Sequence, residues 1–305
     1  MNYNITYLGE FSALAAALFW SIAIIIFKSV GNKISPIVLN PLKNTLAFIL
    51  FIIIFILFDI PFWYSELDKI DYMKLIISGA LGMGIVDTIY LYTLNIIGAN
   101  RSAVLSTLEP GVVFIISYIM LGTLLSLTQF LGFIVVIFSM LIIAYENDIE
   151  EIDSSKKRKA IYLQVLLFFC SAFGIVLIKP VLDKINHSIP LQLWAVVFRL
   201  FPGVIVTILV LLFQKNKAKL LAPLKQSAVI KKIIIGATIG TFMAMSLWIL
   251  GYSNIKYPPV ASLLGQTSCI FILILAWVVL KEPISKKRVI AMCISLIGVV
   301  LVIIG

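Results

Sequence analysis

Long apolar runs separated by short polar breaks make up almost the whole chain. Ten such runs follow one another, at about 8–30, 37–58, 73–94, 102–121, 127–145, 160–178, 190–213, 231–251, 259–280 and 286–304. A helix needs about 20 apolar residues to cross ~30 Å of hydrocarbon. The runs are continuous rather than alternating, so the pattern predicts helices and not barrel strands. The break at Asn95–Arg101 is the least distinct of the boundaries. The fold class expected is an all-α membrane protein with ten transmembrane helices.

The two halves of the chain echo one another. Residues 19–21 read FWS and residues 169–171 read FCS. Pro36 opens the second run and Pro190 the seventh, and Gly79-Ala80 recurs as Gly236-Ala237. The stretch 124–142 parallels 283–301, with Ser126 matching Ser285, Gly132 matching Ala291 and Ser139 matching Gly298. Their common order divides the chain into a five-helix repeat at 1–146, a charged linker at 147–159 and a second five-helix repeat at 160–305. Five is odd, so the second repeat enters the membrane from the opposite side. That is an inverted repeat, the arrangement many secondary transporters use for alternating access. The segment "ENDIEEIDSSKKRK" (146–159) reads as a solvated connection between the halves.

Composition agrees with a lipid environment. Of 305 residues, 62% are hydrophobic and 12% charged, with a mean hydropathy of +1.12. Soluble domains are about half apolar and about a quarter charged. The net charge of +10 is not a nucleic-acid signal. Seventeen of the 24 basic residues fall in connections between odd and even helices, and five in the opposite connections. Basic connections stay in the cytoplasm. The bias puts both termini outside and the basic loops against anionic headgroups. No Lys or Arg precedes Lys28, so the first run reads as a retained helix and not a signal peptide. Cys170, Cys269 and Cys293 lie in apolar runs at spacings that suit neither zinc nor a disulfide framework. No phosphate-binding glycine loop is present, and the single histidine, His187, falls in a loop. The sequence therefore gives no reason to expect an enzyme, a cofactor or a metal.

The FWS and FCS openings, "SPIVLNPLKNTLAF" (35–48), "RSAVLSTLEPGVVFII" (101–116) and "VVLKEPIS" (278–285) carry a resemblance over the whole chain. They resemble the drug/metabolite transporter superfamily, specifically its ten-helix EamA-type members. The resemblance implies a carrier whose cavity is walled by helices 1–4 and 6–9, with helices 5 and 10 peripheral, and for which export is the commoner activity. It also implies both termini in the cytoplasm, the reverse of what the charge bias predicts. Three departures stand out. Lys43 occupies a place where arginine is common, Thr123 stands where the second half has Glu282, and the first helix carries only Glu10, near its end. The four-helix small multidrug-resistance relatives instead have a membrane-embedded glutamate there.

An ionised group at mid-membrane costs on the order of 2.5–3.5 kcal/mol on insertion scales, so each one asks for a cavity or a partner. Asp87 shares a helical face with Met83, Tyr90 and Leu94. It reads as a cavity acid or as a structural tie, for example to Lys43. Glu109 precedes Pro110 and shares a face with Ser102 and Ser106, which suits a kink at a gate or a snorkelling side chain. Gln266 occupies nearly the matching place in helix 9. Lys43 reads as snorkelling to the interface, binding a substrate carboxylate or pairing with Asp87. Arg199 lies too deep to snorkel and calls for an anionic partner or ligand. Trp20, Tyr90 and Trp248 lie away from the helix ends and offer stacking surfaces, or core packing. Trp63 and Tyr64 read as interfacial anchors. The steps Gly79–Gly82–Gly84 and Gly236–Gly240 permit close helix contact, within a monomer or a homodimer.

The expected function is secondary transport, by alternating access, of a small amphipathic or zwitterionic metabolite such as an amino acid. Proton coupling would run through Asp87 or Glu109. The alternatives are a lipid or lipid-headgroup translocase, with a polar track open to the bilayer, and a non-transporting scaffold, with its charges paired in a dry interior.

Overall fold

The computed structural model describes residues 7–64, 67–106, 108–144, 154–281 and 285–304. Residues 147–153 of the charged linker and 282–284 of the VVLKEPIS motif lie outside them. All regular structure among the described residues is helical.

The first repeat holds α1 (Leu8–Gly31) and α2 (Pro36–Leu57). Ser35 caps α2, its Oγ accepting from the Ile37 amide, and Pro36 takes the first turn, where no amide hydrogen is needed. α3 starts as Lys69–Gly79, widens into the π-helical stretch Ala80–Val86, and runs on from Asp87 to Gly98. Gly98 ends it with φ 83° and ψ 167°, a conformation open to glycine. This is how the indistinct boundary at Asn95–Arg101 is made, as a break with no polar loop. α4 comprises 99–106 and, after a second break, Glu109–Leu121. α5 is Leu127–Ala144. α3 begins four residues before the apolar run, because Asp68 and Asp71 form a capping box: Asp68 Oδ1 accepts from the Asp71 amide at 2.8 Å and Asp71 Oδ2 from the Asp68 amide at 3.3 Å.

The second repeat holds α6 (Ser154–Ile185), α7 (Ile189–Leu212), α8 (Ser227–Asn254), α9 (Pro258–Leu280) and α10 (Lys286–Ile304). Residues 154–159, expected in the linker, extend α6 instead. A short helix Lys217–Leu221 and a tight turn Ala222–Lys225 join α7 to α8. α8 has a π-helical stretch at Ala237–Ala244, and α9 is interrupted at Gln266–Thr267. Each repeat thus has a widened third helix, α3 or α8, and a broken fourth helix, α4 or α9, and α9 also ends in a π-helical stretch at Ala276–Leu280.

Packing obeys the same symmetry. α1 lies against α8 and α9, α6 lies against α3 and α4, α2 meets α7, and α5 and α10 lie against each other at the edge. The fold is two inverted five-helix repeats, each lending its first helix to the other's third and fourth. Glycine sets the close contacts: a Cβ at Gly79 would run into the Arg199 carbonyl, and one at Gly236 would come within 2.5 Å of the Phe27 ring. Apolar side chains cover the outside, among them Ile119 (74% exposed), Leu127 (75%) and Phe213 (83%), as expected for a surface bathed in acyl chains.

Candidate functional site

A cavity of about 150 Å³ lies between the repeats. It is lined from α1 by Trp20, from α3 by Gly82, Asp87 and Tyr90, and from α4 by Ser106 and Glu109. The second repeat lends Ser171 from α6, Arg199 from α7, Trp248 from α8 and Gln266 from α9. Seven of the eight residues singled out in the sequence therefore meet in one space. Lys43, on α2, lines a smaller adjoining chamber of about 30 Å³ that shares Trp20, Asp87 and Tyr90 with the first. Among the described residues, neither α5 nor α10 contributes a lining side chain.

Helix irregularities shape the cavity. A π-helical stretch leaves carbonyls without their usual partners. Two α2 amides serve those of α3: Asn40 Nδ2 donates to the Met83 and Gly84 carbonyls at 3.0 and 3.2 Å, and Asn44 Nδ2 to Met83 at 3.0 Å. At the breaks in α4 and α9, backbone and acid face the cavity, a placement tolerated in a membrane where it lines a protected space.

The repeated serines of FWS and FCS bind those two breaks. Ser21 Oγ on α1 donates at 3.0 Å to the Ser268 carbonyl, just past the break in α9. Ser171 Oγ on α6 donates at 2.5 Å to Glu109 Oε1, just past the break in α4. Ser171 is a site residue that its own neighbourhood in the sequence did not reveal; only its match to Ser21 set it apart. Gln266 Nε2 donates to the other Glu109 oxygen at 3.2 Å, so the acid and the amide at matching breaks are directly joined. Glu109 does not snorkel, and no cation pairs with it among the described residues.

Lys43 does not snorkel either. It is 5% exposed, and its Nζ lies 2.6 Å from Asp87 Oδ2 and 2.9 Å from Asn44 Oδ1. The tie between Lys43 and Asp87 is thus present, and Asp87 faces the cavity as one half of an ion pair. Arg199 is 3% exposed. Its Nε donates to Ser78 Oγ at 3.1 Å, its guanidinium carbon stands 5.1 Å from the Trp248 ring centre, and its Nη1 is buried with no partner. No carboxylate is in ion-pair contact with it among the described residues.

Two lysines counted as loop cations have internal work. Lys28 Nζ, on α1, donates at 3.2 Å to the Leu94 and Asn95 carbonyls near the end of α3. Lys179 Nζ, on α6, donates to the Tyr252 and Ile255 carbonyls at the end of α8, at 2.8 and 2.6 Å, and lies 2.7 Å from Asp183. These cations cap equivalent helix ends at opposite faces of the bundle. Trp63 remains largely exposed but stacks on Tyr72, ring centres 4.1 Å apart, so it packs as well as anchors.

No group of three or more His, Cys, Asp or Glu side chains able to hold a metal occurs among the described residues. No curated protein matches the chain. A solved crystal structure shares the fold, with a TM-score of 0.70 and 14% identity over 96% of this chain and 95% of the other. The sequence profile of the EamA-like transporter family matches residues 7–145 and again 158–304, one match per repeat. The protein belongs to the EamA-like transporter family, and is a multi-pass membrane transporter of the drug/metabolite type.

Proposed function

We propose that the protein carries a small amphipathic or zwitterionic metabolite, such as an amino acid, across a bacterial inner membrane by alternating access, with export as its working direction. One observation carries this reading: the cavity between the repeats holds two opposite charges, Arg199 and Glu109, neither in an ion pair. Uncompensated buried charge is costly, so such a cavity is suited to a ligand bringing both signs. Trp20, Tyr90 and Trp248 supply stacking surface for its apolar part.

Lys43 and Asp87 neutralise each other, which leaves Glu109 as the acid to exchange a proton. Its partners, Ser171 and Gln266, are neutral. Convergence of the polar groups on a chamber between the repeats favours a metabolite over a lipid headgroup, which needs a polar track along the lipid face. A scaffold is disfavoured by the cavity and by the unpaired Arg199. The basic connections hold the α1–α2 end of the bundle in the cytoplasm, with both termini outside. Reconstituted protein tests the reading: exchange of a labelled amino-acid panel across a pH gradient is expected, and liposomes that move no member of the panel would refute it.

A further inference from the structure

The geometry points to a carboxylate-binding subsite formed by Arg199 and the bare backbone of Gly82. This rests on the carrier reading and assigns an orientation to the bound molecule. Arg199 has all the marks of a donor kept for a ligand. It is buried, it lines the cavity, and Nη1 has no partner. Ser78 holds Nε, and the Trp248 face lies under the guanidinium, so the fork is fixed in direction. A guanidinium held this way presents parallel donors that match the two oxygens of a carboxylate.

Gly82 explains why space remains there. It sits within the π-helical stretch of α3, and a Cβ on it would lie 3.5 Å from Arg199 Nη2. Any larger residue would take the volume an incoming anion needs. Gly79 and Gly84 are different: their missing Cβ atoms make room for the Arg199 backbone and the Val206 side chain of α7. Of these three α3 glycines, only Gly82 lines the cavity.

The charge around the site selects a monoanion. Among the described residues, the acidic and basic side chains at the two chambers are Lys43, Asp87, Glu109 and Arg199. Lys43 is committed to Asp87. With that pair neutralised, a phosphate dianion would meet one free cation and one free acid in a confined space. A carboxylate is balanced by Arg199, and its own amine, or a proton, by Glu109.

Ligand-induced thermal stabilisation of the purified full-length protein tests this, with leucine, isoamylamine, isocaproate and inorganic phosphate as probes. Leucine and isocaproate, which carry the carboxylate, are expected to stabilise; isoamylamine and phosphate are not. Arg199→Gln is expected to weaken leucine binding at least tenfold. Gly82→Ala retains the guanidinium and puts its methyl at ordinary contact distance, so the ligand-free protein keeps its melting temperature while leucine binding falls by a similar factor. Glu109→Gln is expected to weaken leucine and to spare isocaproate. The subsite is overturned if isoamylamine stabilises as well as leucine, or if leucine binds Arg199→Gln and Gly82→Ala as it binds the parent. Transport of isoamylamine by the Arg199→Gln protein in liposomes would then leave the carrier reading standing. Failure of every probe to bind or move would remove both.

Discussion

Lys43 Nζ and Asp87 Oδ2 lie 2.6 Å apart, joining α2 to α3 where the π-helical stretch of α3 returns to an α-helix. Both groups are largely enclosed, at 6% and 15% side-chain exposure. A pair in such surroundings is weak evidence of net stabilisation, yet breaking it strands a charge at a cost of roughly 3–5 kcal/mol. Lys43→Met and Asp87→Asn are each expected to lower the thermal unfolding midpoint of the purified protein strongly. Lys43→Met combined with Asp87→Asn should recover most of the loss. Equal loss in the double variant and in the sum of the singles would mean that the two side chains act independently.

Glu109 is the other acid of the cavity, and it has no such cation. Glu109→Gln should abolish the dependence of substrate exchange on a pH gradient while leaving exchange measurable. Asp87→Asn, corrected for the amount of folded protein, should retain that dependence. Proteoliposome flux at several imposed gradients separates the two residues. A pH response that survives in Glu109→Gln and vanishes in Asp87→Asn would reverse the assignment.

Gly79 and Gly82 lie one turn apart on α3 and should respond differently to the same change. Alanine at Gly79 drives a methyl into the Arg199 backbone, which has no rotamer to relieve it. Alanine at Gly82 meets only the far end of a side chain at 3.5 Å. Gly79→Ala is expected to cost on the order of 3 kcal/mol or to prevent assembly. Gly82→Ala should fold normally. Size-exclusion behaviour and melting temperature of the two purified variants decide it.

Lys179 holds the Tyr252 and Ile255 carbonyls, and is 2% exposed. Lys179→Met keeps most of the volume and leaves two carbonyls without that donor, at about 1–3 kcal/mol for a buried group. Hydrogen exchange should rise at the α8–α9 connection and stay unchanged at the Gly98 break. Lys28→Met should give the opposite pattern. Identical exchange maps for both variants would show that neither lysine acts as a local cap.

The bound metabolite and the proton are expected to compete. Leucine protection of a cysteine placed at Ser106, which lines the cavity, should fall as Glu109 becomes protonated. Labelling of Ser106→Cys by a small thiol reagent, with and without leucine over a pH series, measures it. Protection that does not change with pH would place the two at separate sites.

Ten helices and their inversion were readable from the chain because each depends on a one-dimensional quantity, whereas the edge position of α5 and α10 was implied only by the family resemblance. Length against bilayer thickness sets the helix count, and an odd number of spans per repeat sets the inversion. Intramembrane charge stands out by itself, since its cost in hydrocarbon is large wherever it points. This is why Asp87, Glu109, Arg199, Lys43 and Gln266 could be singled out from polarity and position. Which charges pair was left open, the tie of Lys43 to Asp87 being one reading among several. The ion pair of Lys43 with Asp87 spans 44 residues, and the bond of Gln266 to Glu109 spans 157 and crosses between the repeats. Periodicity assigns a side chain to a face and carries no information about the neighbour that face meets.

The same limit hid Lys179, counted with the loops from its place near the end of an apolar run and found buried, because the α8 end that receives it lies 73 residues on. The widened turns at Ala80–Val86 and Ala237–Ala244 were also invisible, since their composition is that of ordinary membrane helix. Sequence alone determined that the protein is a membrane bundle of two opposed repeats with rare ionised groups inside it. Only the tertiary structure decided that one acid is neutralised by lysine while another acid and an arginine are left to face a shared cavity, because pairing depends on distances between helices that the order of residues does not encode.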